Sequence, residues 1–213
     1  MKLLLTSTGL SNPAIQNTFL DLTRDFKTKE LKIALITTAA NTPSEKEKIK
    51  NNLEQLKNLN IDAKNILEIN IADGQSVQQL NHCQVMFVCG GNTFYLLHQL
   101  RTTGFDQVIK NFVQNNGVFV GVSAGSIVVT PDISVANIEP ADPNEVNMTD
   151  FTGLSLINFE VSPHVPEYVS YEAMDEYSQQ TKNKIITIDH DCAVLVSNNQ
   201  TSIVGPGQRR FYN

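Results

Sequence analysis

Continuous apolar runs alternate with segments of helical periodicity from the start of the chain to Ile127. The runs predict strands at residues 3–6, 32–38, 66–71, 85–89 and 118–122, and the continuous apolar run 85–89 suits a parallel strand that is covered on both faces. The segments between them repeat apolar residues at helical spacing, which predicts amphipathic helices, as at Ile15, Phe19, Leu22 and Phe26. This alternation favours an α/β fold with a mainly parallel sheet and right-handed crossover helices.

Two of the predicted helices start with capping residues. Asn12 stands before Pro13, an N-cap residue followed by proline at the first helical position. Thr42 and Glu45 flank Pro43 in the pattern of a capping box, in which the hydroxyl and the carboxylate satisfy N–H groups of the first turn. We therefore expect helices to begin at Pro13 and Pro43.

The pattern changes after Ile127. Residues 131–155 are rich in Pro, Asp, Asn and Glu, which predicts a long irregular connection of a kind that often carries function. Residues 192–196, 201–204 and 208–212 are short strand-like segments separated by turn residues, and they predict a C-terminal antiparallel meander. A length of 213 residues suits one domain over residues 1–213, a three-layer α/β sandwich.

Composition narrows the classes of partner. Hydrophobic residues make up 41% and charged residues 18% of the chain, which is typical of a soluble globular protein. A net charge of -6 disfavours nucleic acid, because neutralising phosphates requires a basic patch. The apolar start is too short for a secretory signal and no run reaches membrane-spanning length, so we expect a cytoplasmic protein without a membrane partner.

The cysteines and histidines do not form a metal-ligand pattern. Cys83, Cys89 and Cys192 are odd in number and lack Cys-x-x-Cys spacing, so we interpret them as reduced core thiols. The four histidines also lack metal-ligand spacing; they are His82, His98, His164 and His190. We therefore predict no metal and no other cofactor.

A Gly-Val-Ser-Ala-Gly segment at residues 121–125 follows one of the predicted buried strands and precedes a helical pattern. This context is that of a nucleophile elbow, in which Ser123 projects its hydroxyl from a sharp turn and the Ala124 N–H faces an oxyanion. Two other interpretations stay open for the motif alone: a purely structural turn, and an anion-binding loop at a helix N-terminus. Cys89 is the weaker nucleophile candidate because it has no elbow of its own.

The proposed serine needs a base and a group that orients the base. His164 follows a strand-like segment at residues 159–162 and stands between Pro163 and Val165-Pro166, so its position should be well defined. Carboxylates for the orienting role are present in the irregular connection, and spacing does not choose among them: Asp132, Glu139, Asp142, Glu145 and Asp150.

A second small-residue site lies at the end of another predicted strand. Gly90, Gly91 and Asn92 end the apolar run 85–89 and open a helix, at the sheet edge where α/β proteins bind ligands. We expect Gly91 N–H to be the second oxyanion donor and Asn92 to contribute to the substrate site. Helix-entry geometry alone is the alternative explanation of these residues.

Three segments together resemble the peptidase E family of serine peptidases, which includes aspartyl dipeptidases and, more distantly, cyanophycinases. They are Val-Cys-Gly-Gly-Asn-Thr-Phe at residues 88–94, Gly-Val-Ser-Ala-Gly at residues 121–125 and Ser-Pro-His at residues 162–164. The resemblance implies a class I glutamine amidotransferase-like fold and hydrolysis of short peptides after an N-terminal Asp.

The resemblance also implies roles for individual residues. It implies Ser123 as the nucleophile, His164 as the base, and the N–H groups of Gly91 and Ala124 as the oxyanion hole. Family members place the triad acid shortly after the serine motif, which implies Glu139 here, with Asp142 as the second candidate.

The chain departs from the aspartyl dipeptidases in one respect. Those enzymes carry an arginine in the segment after the catalytic histidine, whereas the next arginine after His164 here is Arg209. Lysine replaces a bidentate guanidinium only imperfectly, so neutral or other short peptides fit as well as peptides that begin with Asp. An esterase or amidase and a catalytically silent ligand-binding module of the same fold are the alternatives. A homodimer, formed through an edge strand or the meander, is compatible with this sequence.

Overall fold

A computed structural model of the chain describes residues 1–74, 80 and 82–213. Its strands, numbered along the chain, are β1 (Lys2–Thr6), β2 (Ile33–Ile36), β3 (Ile66–Ile69), β4 (Val85–Val88), β5 (Val118–Val122), β6 (Glu160–Pro163), β7 (Ile185–Ile188), β8 (Ala193–Ser197), β9 (Gln200–Val204) and β10 (Arg209–Tyr212). Seven of them form one sheet in the order β3-β2-β4-β5-β1-β8-β9, and the other three form a small sheet in the order β10-β7-β6.

The large sheet is mainly parallel. Strands β3, β2, β4, β5 and β1 pair in parallel, whereas β8 and β9 pair antiparallel beside β1. All residues of β2, β4 and β5 are buried, as expected for parallel strands that are covered on both faces. The predicted α/β fold is therefore confirmed.

Within the described residues, six helices connect and cover the strands: α1 (Pro13–Leu22), α2 (Pro43–Asn58), α3 (Thr93–Thr103), α4 (Phe105–Gln114), α5 (Ala124–Ile127) and α6 (Tyr171–Ser178). Both predicted caps are present. The Asn12 side chain accepts hydrogen bonds from two N–H groups of α1, and Thr42 with Glu45 forms the capping box of α2. The apolar periodicity overestimated α1, however, because the helix ends before Phe26, whose exposed fraction is 46%.

The C-terminal segments divide between the two sheets. Strands β8 and β9 form the predicted antiparallel hairpin, but β10 pairs with β7 in the small sheet and not with β9. The Asp189 carboxylate, just after β7, accepts a hydrogen bond from the Gln208 N–H just before β10. This contact holds the chain beside β7, so the predicted three-stranded meander is wrong in its last strand.

Hydrophobic residues pack in two clusters, one on each face of the large sheet. One cluster includes Leu4 and Phe87 of the sheet together with Ile15 and Phe19 of α1. The other includes residues of α3 and α4 and of both sheets, such as Phe119 of β5 and Ile186 of β7. The small sheet therefore shares a core with the large sheet.

The connection between α5 and β6 is irregular, as its composition predicted. Residues 131–155 form the expected irregular connection, with one short 3-10 turn at Ser134–Asn137 and an isolated bridge between Asp132 and Thr152. Cys89 and Cys192 are buried. In the part of the chain that the structure describes, the helices are too short or too polar to cross a membrane.

Candidate active site

Ser123 occupies a sharp turn between β5 and α5. Its backbone has φ 51° and ψ -113°, a combination that residues with a Cβ atom rarely adopt and that is found where function requires it. A Cβ atom on Gly121 would lie 2.5 Å from the Gly125 carbonyl oxygen, and one on Gly125 would overlap the Val88 carbonyl oxygen. Both glycines of the motif are therefore required by close backbone contacts, and the segment has the geometry expected of a nucleophile elbow.

His164 lies within hydrogen-bonding distance of the serine. Its Nε2 atom is 2.8 Å from Ser123 Oγ. His164 directly follows β6 and has a left-handed backbone with φ 64°, which histidine adopts more often than most residues. The structure thus brings together the predicted nucleophile and the predicted base from two different sheets.

The surroundings of His164 keep its imidazole neutral. Burial, followed by the nearby His190 and Lys48, lowers the pKa of His164 from 6.5 to about 3. Each of these effects disfavours the imidazolium form. A neutral ring leaves one nitrogen with a free lone pair, which is the form that can accept the serine proton.

The other ring nitrogen of His164 faces a second histidine. His164 Nδ1 lies 2.9 Å from Nε2 of His190 and 2.9 Å from Ser7 Oγ. Glu167 Oε1 accepts a hydrogen bond of 2.9 Å from the backbone N–H of His190 and lies 3.7 Å from Nδ1 of its ring. The Tyr168 ring contacts both imidazoles, with centroid distances of 5.0 Å to His164 and 5.4 Å to His190.

Sequence reasoning did not identify His190, although a signal was present. Strands β6 and β7 pair in parallel, with Pro163 opposite Ile188. Because parallel strands end at the same edge, a histidine two positions after β7 lies close to one immediately after β6. The apolar segment at residues 185–188 followed by Asp-His could have indicated this neighbour.

The predicted oxyanion donors line the same region. Ala124 is the first residue of α5, and Gly91 has φ 145° with a position that a Cβ atom could not occupy without overlapping the Ala39 carbonyl. Within the described residues, neither N–H has a hydrogen-bond acceptor. A Cβ atom on Gly90 would lie 3.7 Å from Ser123 Oγ, so the glycine pair lies directly against the elbow.

The Asn92 side chain has a structural role. Its Oδ1 accepts a hydrogen bond of 2.8 Å from the Tyr95 N–H at the start of α3, and its Nδ2 donates one of 2.7 Å to the Pro143 carbonyl. The side chain is 2% exposed. The amide caps the helix and fastens the irregular connection, so the structure does not direct it toward the substrate site as the sequence had led us to expect.

A cavity of about 360 Å³, here called the cleft, opens beside Ser123 and His164. Residues of the irregular connection such as Val135 and Ile138 form one wall, and residues of α2 form another. Among the residues that the structure describes, its lining residues with a carboxyl or ammonium group in the side chain are Glu45, Lys48 and Asp142. This volume suits a small ligand such as a short peptide.

Cys89 is a less favourable nucleophile than Ser123. Burial raises the pKa of the Cys89 thiol far above its usual range, which suppresses the thiolate that a nucleophile requires. Over residues 1–74, 80 and 82–213, no group of three or more His, Cys, Asp or Glu side chains is arranged to hold a metal ion.

Comparison with known proteins assigns the family. The sequence profile described as Peptidase family S51 matches residues 3–204. The chain belongs to peptidase family S51. The resemblance to peptidase E inferred from three short segments is therefore confirmed over nearly the whole sequence.

Relatives within family S51 include proteins named peptidase E. The chain is 35% identical over 125 residues to an uncharacterized peptidase of Pasteurella multocida, covering 57% of this chain and 59% of the relative. It is 31% identical over 120 residues to a peptidase E of a Nostoc species, covering 56% of this chain and 48% of the relative. The matches to these curated relatives thus span between about half and three-fifths of their length.

Solved structures agree in fold. A Listeria monocytogenes protein described as a candidate peptidase E has a TM-score of 0.76 at 22% identity, covering 97% of this chain and 98% of that protein. A peptidase from an acI-B1 Actinobacterium has a TM-score of 0.72 at 20% identity, covering 98% and 93%. These similarities support the fold assignment of the S51 chain.

The family resemblance implied a serine, a histidine and an acid. The structure brings Ser123 and His164 together as expected, but neither of the expected acids joins them. Glu139 is exposed, and its carboxylate accepts a hydrogen bond of 3.2 Å from the Ala141 N–H. Asp142 accepts one of 2.8 Å from the Thr93 N–H at the start of α3, and burial raises its pKa. In the described structure neither carboxylate makes a hydrogen bond to His164, because Glu139 lies at the exposed surface and Asp142 is bound to the start of α3.

Proposed function

We propose that this S51 chain is a serine-type peptidase that hydrolyses short peptides through an acyl-enzyme. The observation that carries the proposal is the 2.8 Å contact between Ser123 Oγ on its strained elbow and Nε2 of a neutral His164. Family membership supports the reaction class. The cleft beside the pair supplies space for the substrate.

The proposed mechanism uses groups of this chain in known chemical roles. Ser123 Oγ attacks the carbonyl carbon of the scissile bond while His164 Nε2 accepts the hydroxyl proton. The N–H groups of Ala124 and Gly91 donate to the oxyanion of the tetrahedral intermediate. The C–N bond then breaks, and His164 returns the proton to the leaving amine. Water attacks the acyl-enzyme with His164 again as the base, which releases the acid product and restores Ser123.

The charges of the cleft favour peptides with free termini. Lys48 provides a cation, whereas Glu45 and Asp142 provide carboxyl groups. A dipeptide or tripeptide carries an ammonium and a carboxylate a few ångströms apart, which complements this arrangement. We propose that recognition of both termini, rather than of an acidic side chain, restricts the enzyme to short substrates.

The nucleophile is tested by Ser123→Ala. We expect loss of dipeptide hydrolysis by at least about four orders of magnitude and loss of covalent labelling by a fluorophosphonate. Ser202→Ala is the matched control because Ser202 is exposed on β9, and it should retain both. Turnover or labelling that persists in Ser123→Ala would overturn the assignment. Labelling of the wild type without peptide cleavage would favour an esterase or amidase, and absence of both would favour a silent module.

The recognition of termini is tested by capping the substrate. We expect acetylation of the amino end or amidation of the carboxyl end to lower kcat/KM at least about tenfold, the effect of one charge-assisted contact. Lys48→Met should abolish the preference for a free carboxylate. Lys46→Met on the same helix is the control, because Lys46 does not line the cleft. Equal cleavage of free and capped peptides would exclude this mode of recognition.

A further inference from the structure

The position on the far side of the proposed base is filled by a histidine. His190 Nε2 lies 2.9 Å from His164 Nδ1, where a triad of serine, histidine and acid has its carboxylate. We propose that His190, supported by Glu167, is the positioning residue that orients His164. This inference rests on the proposed serine peptidase function and adds a residue that neither the family resemblance nor the sequence motifs assigned.

The first step of the argument concerns the proton on His164. Ser123 can donate its hydroxyl proton only if His164 Nε2 carries a free lone pair, so the proton of the neutral ring must be on Nδ1. That N–H requires an acceptor. The candidates within reach are Ser7 Oγ, which already accepts a hydrogen bond from the His164 backbone N–H, and His190 Nε2.

The second step concerns Glu167. Its Oε1 atom accepts a hydrogen bond of 2.9 Å from the backbone N–H of His190 and lies 3.7 Å from Nδ1 of the His190 ring. A carboxylate on this side favours the His190 tautomer with its proton on Nδ1. His190 Nε2 then has a free lone pair directed at His164, so the two contacts together select the reactive tautomer of the base.

The third step concerns geometry. His164 and His190 extend from the ends of two adjacent parallel strands, and their rings meet at an interplanar angle of 84° with centroids 5.1 Å apart. This edge contact restricts rotation of the His164 ring about its χ angles. Both functions, choice of tautomer and restriction of the ring, act through His164, so His190 does not need to contact the substrate.

During the reaction the proton transfer stays local. The Ser123 hydroxyl proton moves to His164 Nε2, while the Nδ1 proton remains on His164 in its hydrogen bond to His190 Nε2. The N–H on Nδ1 of the imidazolium formed keeps its hydrogen bond to the lone pair of His190 Nε2, and the carboxylate of Glu167 lies beyond that ring. The side chains of His190 and Glu167 are 32% and 30% exposed, so solvent weakens the effect of the distant charge. We therefore expect a smaller contribution from Glu167 than from His190.

The central experiment replaces His190 by residues that differ as hydrogen-bond acceptors. His190→Ala should lower kcat for a dipeptide about a hundredfold with KM changed less than about threefold, as for an interaction that acts in the transition state. Added imidazole should restore part of the lost kcat. His190→Glu supplies an acceptor and should retain kcat within about tenfold of the wild type, whereas His190→Lys supplies only donors and should be as impaired as His190→Ala.

Two further variants separate the roles of the carboxylates. Glu167→Gln keeps the acceptor for the His190 N–H but removes the charge, and it should lower kcat about threefold to tenfold. Glu139→Gln is the control for the acid implied by the resemblance and should remain within about twofold of the wild type. A large loss in Glu139→Gln together with normal turnover in His190→Ala would overturn the proposal.

A second measurement does not depend on turnover. In the wild type, ¹⁵N NMR of the histidine side chains should show His164 protonated on Nδ1 and not on Nε2, and His190→Ala should shift this population toward the other tautomer. The same tautomer ratio in both proteins would overturn the role of His190. A wild type with the expected tautomer but without hydrolysis or labelling would refute the proposed function alone.

Discussion

Ser7 Oγ lies 3.0 Å from the backbone nitrogen of His164 and 2.9 Å from Nδ1 of its ring. Ser7 follows β1, which lies between β5 and β8 in the large sheet, whereas His164 follows β6 of the small sheet. One buried hydroxyl therefore holds both the main chain and the side chain of the proposed base. The contact also supports the left-handed backbone of His164.

Ser7→Ala should affect both stability and rate. It leaves the His164 N–H without its acceptor, which costs about 1–3 kcal/mol when such a group is buried. Looser placement of the ring should lower kcat/KM about tenfold. Urea denaturation and dipeptide kinetics measure the two effects, and Ser202→Ala on the exposed face of β9 should change neither. A Ser7→Ala protein with wild-type stability and rate would show that the contact is dispensable.

Ser123→Gly should be more stable than Ser123→Ala. Both substitutions remove the hydroxyl, but only glycine adopts φ 51° and ψ -113° without strain. Relief of about 1–3 kcal/mol of backbone strain is partly offset by the greater entropy of glycine in the unfolded chain. We expect a difference of about 1 kcal/mol in the free energy of unfolding, measured in urea. Equal stability would contradict the strained elbow.

Gly91→Ala should damage the protein far more than Gly104→Ala. Both glycines have positive φ, 145° and 74°, but a Cβ atom on Gly91 would overlap the Ala39 carbonyl, whereas the space around Gly104 is open within 4 Å. Gly104→Ala should cost only about 1 kcal/mol of backbone strain. Gly91→Ala should cost more and should also lower kcat at least about tenfold, because its N–H must shift. Thermal denaturation and kinetics compare the pair, and similar effects in both variants would argue against the close contact.

The stability of the protein should fall as the pH decreases below about 6.5. The folded pKa of His164, about 3, lies below its ordinary value of 6.5, so between these values the unfolded chain binds the proton more strongly. The free energy of unfolding therefore has its full His164 contribution above pH 6.5 and loses it progressively down to about pH 3.

Urea titrations across this range measure the slope of unfolding free energy against pH. His164→Asn should show a shallower slope than the wild type. A wild-type slope in His164→Asn would mean that the ring is not buried in its neutral form.

Much of the site could be predicted because its signals are local. The apolar runs before Gly90 and Ser123 identify strand ends. Gly121 is required by a backbone contact with Gly125, two residues beyond the nucleophile, and Gly125 by a contact with the Val88 carbonyl at the end of the adjacent parallel strand β4. His164 was recognisable from its place after a strand-like segment. In each case the deciding interaction acts close in sequence or follows directly from the alternation of strands and helices.

The third position of the site could not be predicted in this way. Nδ1 of His164 faces a residue that follows β7, the strand next to β6 in the small sheet. The parallel pairing of β6 with β7 determines which residue this is. The partner of β10 could not be predicted locally either. The turn residues before β10 are compatible with a meander, but β10 pairs with β7, and the contact between Asp189 and Gln208 supports this pairing. The family resemblance implied Glu139, whereas packing between segments distant in sequence brings His190 beside His164.

The core that the two sheets share has a consequence for how the proposed activity is lost on denaturation. Val161 and Ile186 of the small sheet pack in the same cluster as Leu3 and Phe119 of the large sheet, so separating Ser123 from His164 exposes a contiguous apolar surface. Such an opening costs nearly as much as unfolding the chain, and it should be cooperative. Turnover should accordingly disappear together with the native circular dichroism signal as denaturant is added, which makes activity a direct measure of the folded fraction.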